Sequence, residues 1–105
     1  MSYRYILHEE AQQDYERAIA WYAARSLKAA ENLITEAEYS LQLICNNPDR
    51  WRNEYKNYRE IGLVKYPYVI IYVIEEDKKL IIVTAFFHTK QSLKKKYRKM
   101  KNPGK

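Results

Sequence analysis

The sequence predicts an α+β domain in which an antiparallel helical hairpin covers one face of a small, mostly antiparallel sheet. Three observations support this prediction: a short alternating segment near the N-terminus, two stretches with helical spacing, and three apolar runs separated by turn signals. At 105 residues, the chain is long enough for one hydrophobic core but not for two. We expect a single domain over residues 1–100 and a disordered tail over residues 101–105.

The first predicted elements are a strand and a helix. Tyr3–Leu7 is short, alternating and rich in aromatic and aliphatic residues, as strands are. From Glu9 the apolar residues follow the spacing i, i+4, i+7, i+8 and i+11, which places them on one face of a helix. These residues are Ala11, Tyr15, Ala18, Ile19 and Tyr22.

A second helix follows after a short joint. Ser26 is a suitable N-cap, and Asn46, Asn47 and Pro48 end the helical pattern. Its apolar positions are Ala30, Leu33, Ile34, Ala37, Leu41, Ile44 and Cys45. Because the joint is short, the two helices should form an antiparallel hairpin with one apolar stripe on each helix.

The second half of the chain contains three predicted strands, Tyr58–Val64, Tyr68–Ile74 and Leu80–Phe87. Pro67 marks the bend between the first two because proline lacks an amide hydrogen, and the polar stretch 75–79 connects the last two. The three strands form a meander, and the N-terminal strand joins the same sheet.

The strand Tyr68–Ile74 is apolar on both of its sides, which is typical of a strand that is covered twice. Two helices can cover only one face of the sheet. We therefore expect the other face to be covered by the C-terminal segment or by another polypeptide, with a partner chain as the working hypothesis.

The positive charge belongs to the second half of the chain. Residues 1–50 carry five basic and eight acidic side chains, whereas residues 51–105 carry fourteen basic and five acidic ones. This asymmetry favours an anionic partner, either nucleic acid or an acidic protein, although a charged run also serves solubility. The candidate contacts to a target or a nucleic acid are Lys90, Lys94, Lys95, Lys96, Tyr97 and Arg98.

Cysteine, histidine and hydropathy patterns exclude several classes of protein. One cysteine cannot form an internal disulfide, and no secretion signal or membrane-spanning run is evident, so we expect a cytoplasmic protein. The two histidines and the cysteine lack the spacing of metal ligands. We expect neither a metal nor a cofactor.

Two segments carry a resemblance to a known family: REIGLVKYPYVIIYVI at residues 59–74 and VTAFFHTK at residues 83–90. With the order of elements, they resemble the RelE/ParE superfamily of bacterial toxin–antitoxin toxins, most closely its ParE-like, plasmid-stabilisation branch. The similarity extends from Tyr3 to about Arg98. It implies a RelE-like fold and a small basic toxin that is neutralised by an acidic antitoxin, which folds on binding.

The resemblance leaves two targets open, because ParE-like members poison DNA gyrase and RelE-like members cut messenger RNA on the ribosome. For a ribonuclease, the candidate catalytic residues are His88, Arg59 and Lys65, which provide an acid or base and cations. Ribonuclease relatives commonly carry an arginine where this chain has Tyr68 and Val69. We therefore favour inhibition by binding.

The candidate antitoxin-binding residues are Tyr68, Tyr72 and Trp21. The alternative for the two tyrosines is a place in the core or in cross-strand pairs. A third function, a non-toxic nucleic-acid-binding adaptor, lacks support from a helix-turn-helix pattern or a stacked-aromatic sheet motif.

Overall fold

The computed structural model of the chain describes residues 3–90, with only the backbone described at Glu54. Two helices and five strands make up this region, together with 3-10 turns at Pro48–Arg50 and Glu76–Lys78. The helices are α1 (Glu9–Ala23) and α2 (Leu27–Asn46). The strands are β1 (Arg4–Leu7), β2 (Asn53–Tyr55), β3 (Tyr58–Gly62), β4 (Tyr68–Glu75) and β5 (Leu80–His88).

Side chains cap both helices at their N-termini. The Ser26 hydroxyl accepts a hydrogen bond from the Ala29 amide at 3.1 Å, which confirms the predicted cap of α2. At the start of α1, Nδ1 of His8 accepts from the Glu10 amide at 3.3 Å. Each cap satisfies an amide that has no partner within its own helix.

The five strands form one sheet in the order β1-β5-β4-β3-β2. β1 runs parallel to β5, and every other pairing is antiparallel. The predicted α+β class, the helical hairpin and the three-stranded meander are confirmed. The prediction lacked β2, because its three residues, Asn-Glu-Tyr, show no apolar alternation.

An irregularity in the pairing of β4 with β5 changes which side chains face the helices. Ile71 pairs with Ala85 but Tyr72 pairs with Val83, so Thr84 is an additional residue in β5. The Thr84 hydroxyl hydrogen-bonds the Ile71 carbonyl at 3.2 Å. As a result, Val83 and Phe86 both join the helix-facing core although three positions separate them.

The two faces of the sheet are buried to similar degrees at their centres. The helix-facing core includes Leu33, Ile44, Ile70, Tyr72 and Ile81, all at most 1% exposed. On the opposite face, a second cluster contains the buried residues Tyr58, Ile71, Ala85 and Phe87. These four are at most 7% exposed in the single chain, so the hypothesis that a partner chain must mask this face is wrong.

None of the helices in residues 3–90 is long and apolar enough to cross a membrane. The predicted tail over residues 101–105 lies outside the described residues.

Candidate functional site

A groove of about 740 Å³ lies between α1 and the adjoining ends of β4 and β5. Its polar and aromatic walls are formed by Asp14, Arg17, Trp21, Tyr22, Tyr68 and His88. The apolar residues Ala18 and Phe86 also line it. A concave surface with an apolar base and a few polar groups is the usual form of a binding site.

The α1 wall of the groove follows from helical periodicity. Asp14, Arg17 and Trp21 stand at positions i, i+3 and i+7, and therefore lie along one side of the helix. A 2.8 Å ion pair joins Asp14 to Arg17, whose side chain is 72% exposed. The Arg17 guanidinium therefore remains accessible to an anionic group of a partner.

Trp21 forms an exposed aromatic rim of the groove. Its side chain is 52% exposed, and the guanidinium carbon of Arg25 lies 3.7 Å from the ring centroid. Arg25 also donates a 2.7 Å hydrogen bond to the Trp21 carbonyl, and the Tyr22 ring contacts the indole edge-on at 4.9 Å. These contacts restrain a large aromatic surface, which is the kind of residue that dominates binding at interfaces.

Tyr68 and His88 form the sheet wall of the groove because the β4–β5 register pairs them directly. Their ring centroids are 5.0 Å apart in an edge-to-face arrangement, and Tyr68 stacks on Phe86 at 4.7 Å. Burial raises the pKa of the Tyr68 hydroxyl, so this hydroxyl stays protonated at neutral pH.

The Lys90 backbone amide fixes the tautomer of His88. This amide donates a 3.0 Å hydrogen bond to Nδ1 of His88, so the proton of the neutral imidazole is on Nε2. This bond holds the imidazole ring in one orientation at the edge of the groove.

Tyr72 does not line the groove. Its side chain is fully buried, and its hydroxyl donates a 2.7 Å hydrogen bond to the Pro48 carbonyl. Burial raises the pKa of this hydroxyl to about 12. The assignment of Tyr72 to an antitoxin-binding surface is therefore corrected, and this tyrosine belongs to the core.

The structure does not bring the three catalytic candidates together. Arg59 donates hydrogen bonds to the backbone carbonyls of Asp49 and Trp51, and its guanidinium lies 3.5 Å from the Asp49 carboxylate. In the sheet register, Arg59 is opposite Tyr72, whereas His88 is opposite Tyr68. Tyr68 and Tyr72 are four positions apart in β4, which corresponds to about 13 Å along the strand.

Lys65 lies at the same end of the sheet as His88, in the loop between β3 and β4. The loop is fastened by the Glu36 carboxylate, which accepts hydrogen bonds from the Val64 and Lys65 amides. A 2.9 Å hydrogen bond from the Thr89 amide to the Pro67 carbonyl joins this loop to the end of β5. Lys65 and His88 thus share one end of the sheet, and Arg59 is separated from both.

The family is shown by comparison with known proteins. A family model for the ParE toxin of the type II toxin–antitoxin system parDE matches residues 5–93. The chain belongs to the ParE toxin family. This toxin's fold is similar to that of two solved structures, and no curated protein sequence matches it.

The first of these structures is the chromosomal ParDE toxin–antitoxin system from P. aeruginosa, with a TM-score of 0.72 and 13% identity. The similarity covers 86% of this ParE-family toxin and 98% of the other chain. The second is a mutant of the E. coli toxin RelE in the free state, with a TM-score of 0.61, 15% identity and 86% coverage of both chains. The predicted RelE-like fold of the toxin is confirmed.

Sequence reasoning identified only part of the groove of this toxin. Trp21, Tyr68 and His88 were candidates, but Asp14 and Arg17 were not. The available signal was their spacing of i, i+3 and i+7 with Trp21, directly beside the apolar stripe of α1.

Two further predictions concern the tail and metal binding. Lys90 is exposed, and its described contact is the bond from its amide to His88. Lys94, Lys95, Lys96, Tyr97 and Arg98 lie outside the described residues. Within residues 3–90, no group of three His, Cys, Asp or Glu side chains converges in a way that could hold a metal ion.

Proposed function

We propose that this toxin acts in the cytoplasm by binding and inhibiting a macromolecular target such as DNA gyrase, and that it does not cleave RNA. The observation that carries this proposal is the position of Arg59. Its guanidinium is committed to the turn at Pro48–Arg50 and to Trp51, about 13 Å along β4 from the His88 position. A ribonuclease requires its cations and its acid or base around one phosphate.

The absence of an arginine at the start of β4, where ribonuclease relatives commonly carry one, also supports inhibition by binding. Here that position holds Tyr68 and Val69, and the Tyr68 ring is engaged with Phe86 and His88. Loss of one positioned cation typically reduces the rate of such a reaction by about a hundredfold or more.

We further propose that the cognate antitoxin neutralises the toxin by docking in the groove beside α1. Trp21 and Tyr68 would supply aromatic anchors, while the exposed Arg17 would bind a carboxylate of an acidic partner. A helix with apolar anchors on one face, or an extended segment, would fit a groove of this kind.

The inhibition is tested with purified components. We expect the full chain to block supercoiling of relaxed plasmid by DNA gyrase, and we expect an equimolar amount of the antitoxin encoded in the adjacent reading frame to restore it. Full supercoiling at a tenfold excess of toxin over gyrase would exclude gyrase as the target.

A ribosome-dependent endoribonuclease of the RelE type is the second candidate. It is favoured by the location of Lys65 and His88 at one end of the sheet, where the loop and strand are joined by the Thr89–Pro67 hydrogen bond. In this function His88 would act as the general acid and Lys65 would stabilise the phosphate. The two functions predict different damage in cells, because one breaks chromosomes and the other cuts messages.

A further inference from the structure

We propose that the C-terminal segment, residues 91–100, packs on the sheet face opposite the helices and carries its basic side chains on the outside of the molecule. We call this side of the sheet the outer face. Its buried residues, Tyr58, Ile71, Ala85 and Phe87, form the outer cluster. The match to the ParE family model ends at residue 93, so most of this segment lies beyond it. The inference goes beyond the proposed function, because it depends neither on the target nor on the antitoxin groove.

The outer cluster is buried although both helices pack on the other side of the sheet. Ile71 is 0% exposed, and Phe87, a large side chain near the end of β5, is 6% exposed. The described members of the cluster all come from β3, β4 and β5. Side chains of a strand stand roughly perpendicular to the sheet, so their ends stay accessible unless another layer lies above them. Such a layer therefore covers the outer cluster.

The cover lies over the half of the sheet where β5 ends. Val73 and Ile82 are register partners on the outer face, and both are only partly buried. Two positions earlier in β4, Ile71 and its partner Ala85 are buried, and so is Phe87. β1 pairs only with the first half of β5, so an edge effect would expose Ala85 more than Ile82. The covering group is thus nearest to the point at which the chain leaves the sheet.

The covering group belongs to this chain, because the burial is that of a single chain. Tyr55 of β2 stacks on Tyr58 and covers that margin of the outer cluster. Ile71 lies one strand further in and Ala85 two strands, about 5 and 10 Å from the strand of Tyr58. One side chain at the β2 edge does not extend over both residues, so a further segment is needed.

The two ends of the chain differ in their distance from the outer cluster. Arg4 is opposite Leu80, which is about 23 Å along β5 from Phe87. Residues 1–2 span at most about 7 Å and cannot bridge this distance. At the other end, Phe87 is followed by only three residues before the segment begins. The C-terminal segment is therefore the part of the chain that reaches the outer cluster.

The apolar residues of the segment have a spacing that fits this position. Leu93, Tyr97 and Met100 stand at i, i+4 and i+7, which places them on one side of a helix. A helix over residues 92–100 would be about 13 Å long. β5 and β3 are two strand spacings apart, or about 10 Å. One such helix can cross the outer face from β5 to β3.

This packing turns the basic residues of the segment outward. Residues 91–105 contain seven lysines and arginines and no acidic residue. At 3.6 residues per turn, Lys95 and Arg98 lie about 200° and 140° around the helix from Leu93. The result is a basic ridge on the side of the molecule opposite the helices. An anionic surface of a target can bind this ridge while the antitoxin occupies the groove beside α1.

The test measures the reactivity of a thiol placed on the outer face of the full-length chain. Ile71→Cys puts the thiol beneath the proposed cover, where the smaller side chain fits. Ile82→Cys is the matched control, because Ile82 is on the same face of the neighbouring strand but is only partly buried. Alkylation by iodoacetamide should be slower in Ile71→Cys than in Ile82→Cys. The rate at the buried Cys45 is measured in the unsubstituted chain.

Substitutions in the segment show whether it forms the cover. Leu93→Asp combined with Tyr97→Asp should accelerate alkylation in Ile71→Cys by about tenfold or more, because carboxylates do not pack on an apolar surface. The rate in Ile82→Cys should stay within about twofold. Lys95→Asp, on the outward side of the same segment, should leave both rates within about twofold. Thermal melting shows whether each variant is folded, and the single substitution Tyr97→Ser gives the same comparison if the double variant unfolds.

Three results would overturn the proposal. In the first, Ile71→Cys in the otherwise unchanged chain reacts as fast as Ile82→Cys. In the second, the folded Leu93→Asp and Tyr97→Asp variant protects the thiol of Ile71→Cys as well as Lys95→Asp does. In the third, protection of this thiol is lost on about a hundredfold dilution, which would assign the cover to a second copy of the chain. Failure of gyrase inhibition would leave these rates unchanged, so the two proposals are distinguishable.

Discussion

The Tyr72 hydroxyl donates a 2.7 Å hydrogen bond to the Pro48 carbonyl, and both residues are buried. This bond connects the middle of the sheet to the turn that follows α2. It also explains how a polar atom is accommodated among the apolar side chains of the helix-facing core, since a buried hydroxyl needs a partner. Tyr72 therefore stabilises the fold.

Replacement of Tyr72 by phenylalanine tests this role. Tyr72→Phe leaves the buried Pro48 carbonyl without this hydrogen bond, so the free energy of unfolding should fall by about 1–3 kcal/mol. Urea denaturation measures the change, and antitoxin affinity of the folded variant should be unchanged. Tyr39→Phe, at an exposed tyrosine, should stay within about 0.5 kcal/mol. A stable Tyr72→Phe variant that loses antitoxin binding would contradict the assignment.

Stability should decrease at alkaline pH. Burial raises the pKa of Tyr15 and of Tyr72 from 10.0 to about 12, so ionisation is less favourable in the folded chain than in the unfolded chain. The contribution of these groups is complete below pH 10 and is lost as the pH rises towards 12. Urea denaturation between pH 8 and pH 12 should show this loss, and Tyr72→Phe should reduce it. A constant free energy of unfolding over this range would contradict the prediction.

Trp21 should contribute strongly to antitoxin binding. Trp21→Ala removes the exposed aromatic rim of the groove and should weaken binding of the cognate antitoxin by about 30-fold, which corresponds to about 2 kcal/mol. Titration calorimetry measures the affinity, and Tyr39→Ala is the control for loss of an exposed aromatic side chain elsewhere. Equal affinities for both variants would place the antitoxin outside the groove.

Glu36 should hold the loop between β3 and β4 in a fixed conformation. Its carboxylate accepts hydrogen bonds from the Val64 and Lys65 amides. In Glu36→Ala the hydrogen-exchange protection of these two amides should fall about tenfold, which corresponds to about 1.4 kcal/mol. Glu31→Ala, at an exposed position of the same helix, should leave their protection unchanged. Unchanged protection in Glu36→Ala would show that other contacts hold the loop.

The left-handed backbone at Lys56 should reduce the stability of the fold. Lys56→Gly removes the strain of a left-handed non-glycine residue and should raise the free energy of unfolding by about 0.5–1 kcal/mol. Thermal and urea denaturation measure this gain. A loss of stability in Lys56→Gly would indicate that the Lys56 side chain supports the fold.

The periodicity of the sequence predicted the elements well, because the apolar stripes of α1 and α2 and the runs of β4 and β5 are long enough to be unambiguous. Ser26 was recognisable as a cap from its residue type and position. By contrast, β2 was missed because a three-residue edge strand depends on its pairing with β3. The burial of Tyr72 could not be predicted from the sequence, because the Pro48 carbonyl that accepts its hydrogen bond is 24 positions away.

The candidate site required the three-dimensional structure. Trp21 and Tyr68 were both predicted to contact a partner, but only the packing of α1 on the sheet places them on one groove. Arg59 was a catalytic candidate by residue type, and the carbonyls of Asp49 and Trp51 that bind it come from a turn without a recognisable pattern. Residue types therefore supplied candidate side chains, whereas long-range contacts determine which of these candidates lie close together.

The most direct test of inhibition without RNA cleavage is induction of the chain in bacteria that lack its antitoxin. Two properties are measured in the same cultures within minutes of induction. The first is the position of the 5′ ends of translated messages, and the second is the integrity of the chromosome. We expect chromosome breakage with intact messages, equally in the wild type and in Lys65→Ala. Rapid cleavage of translated messages that is abolished by His88→Ala would contradict it and would establish the ribonuclease.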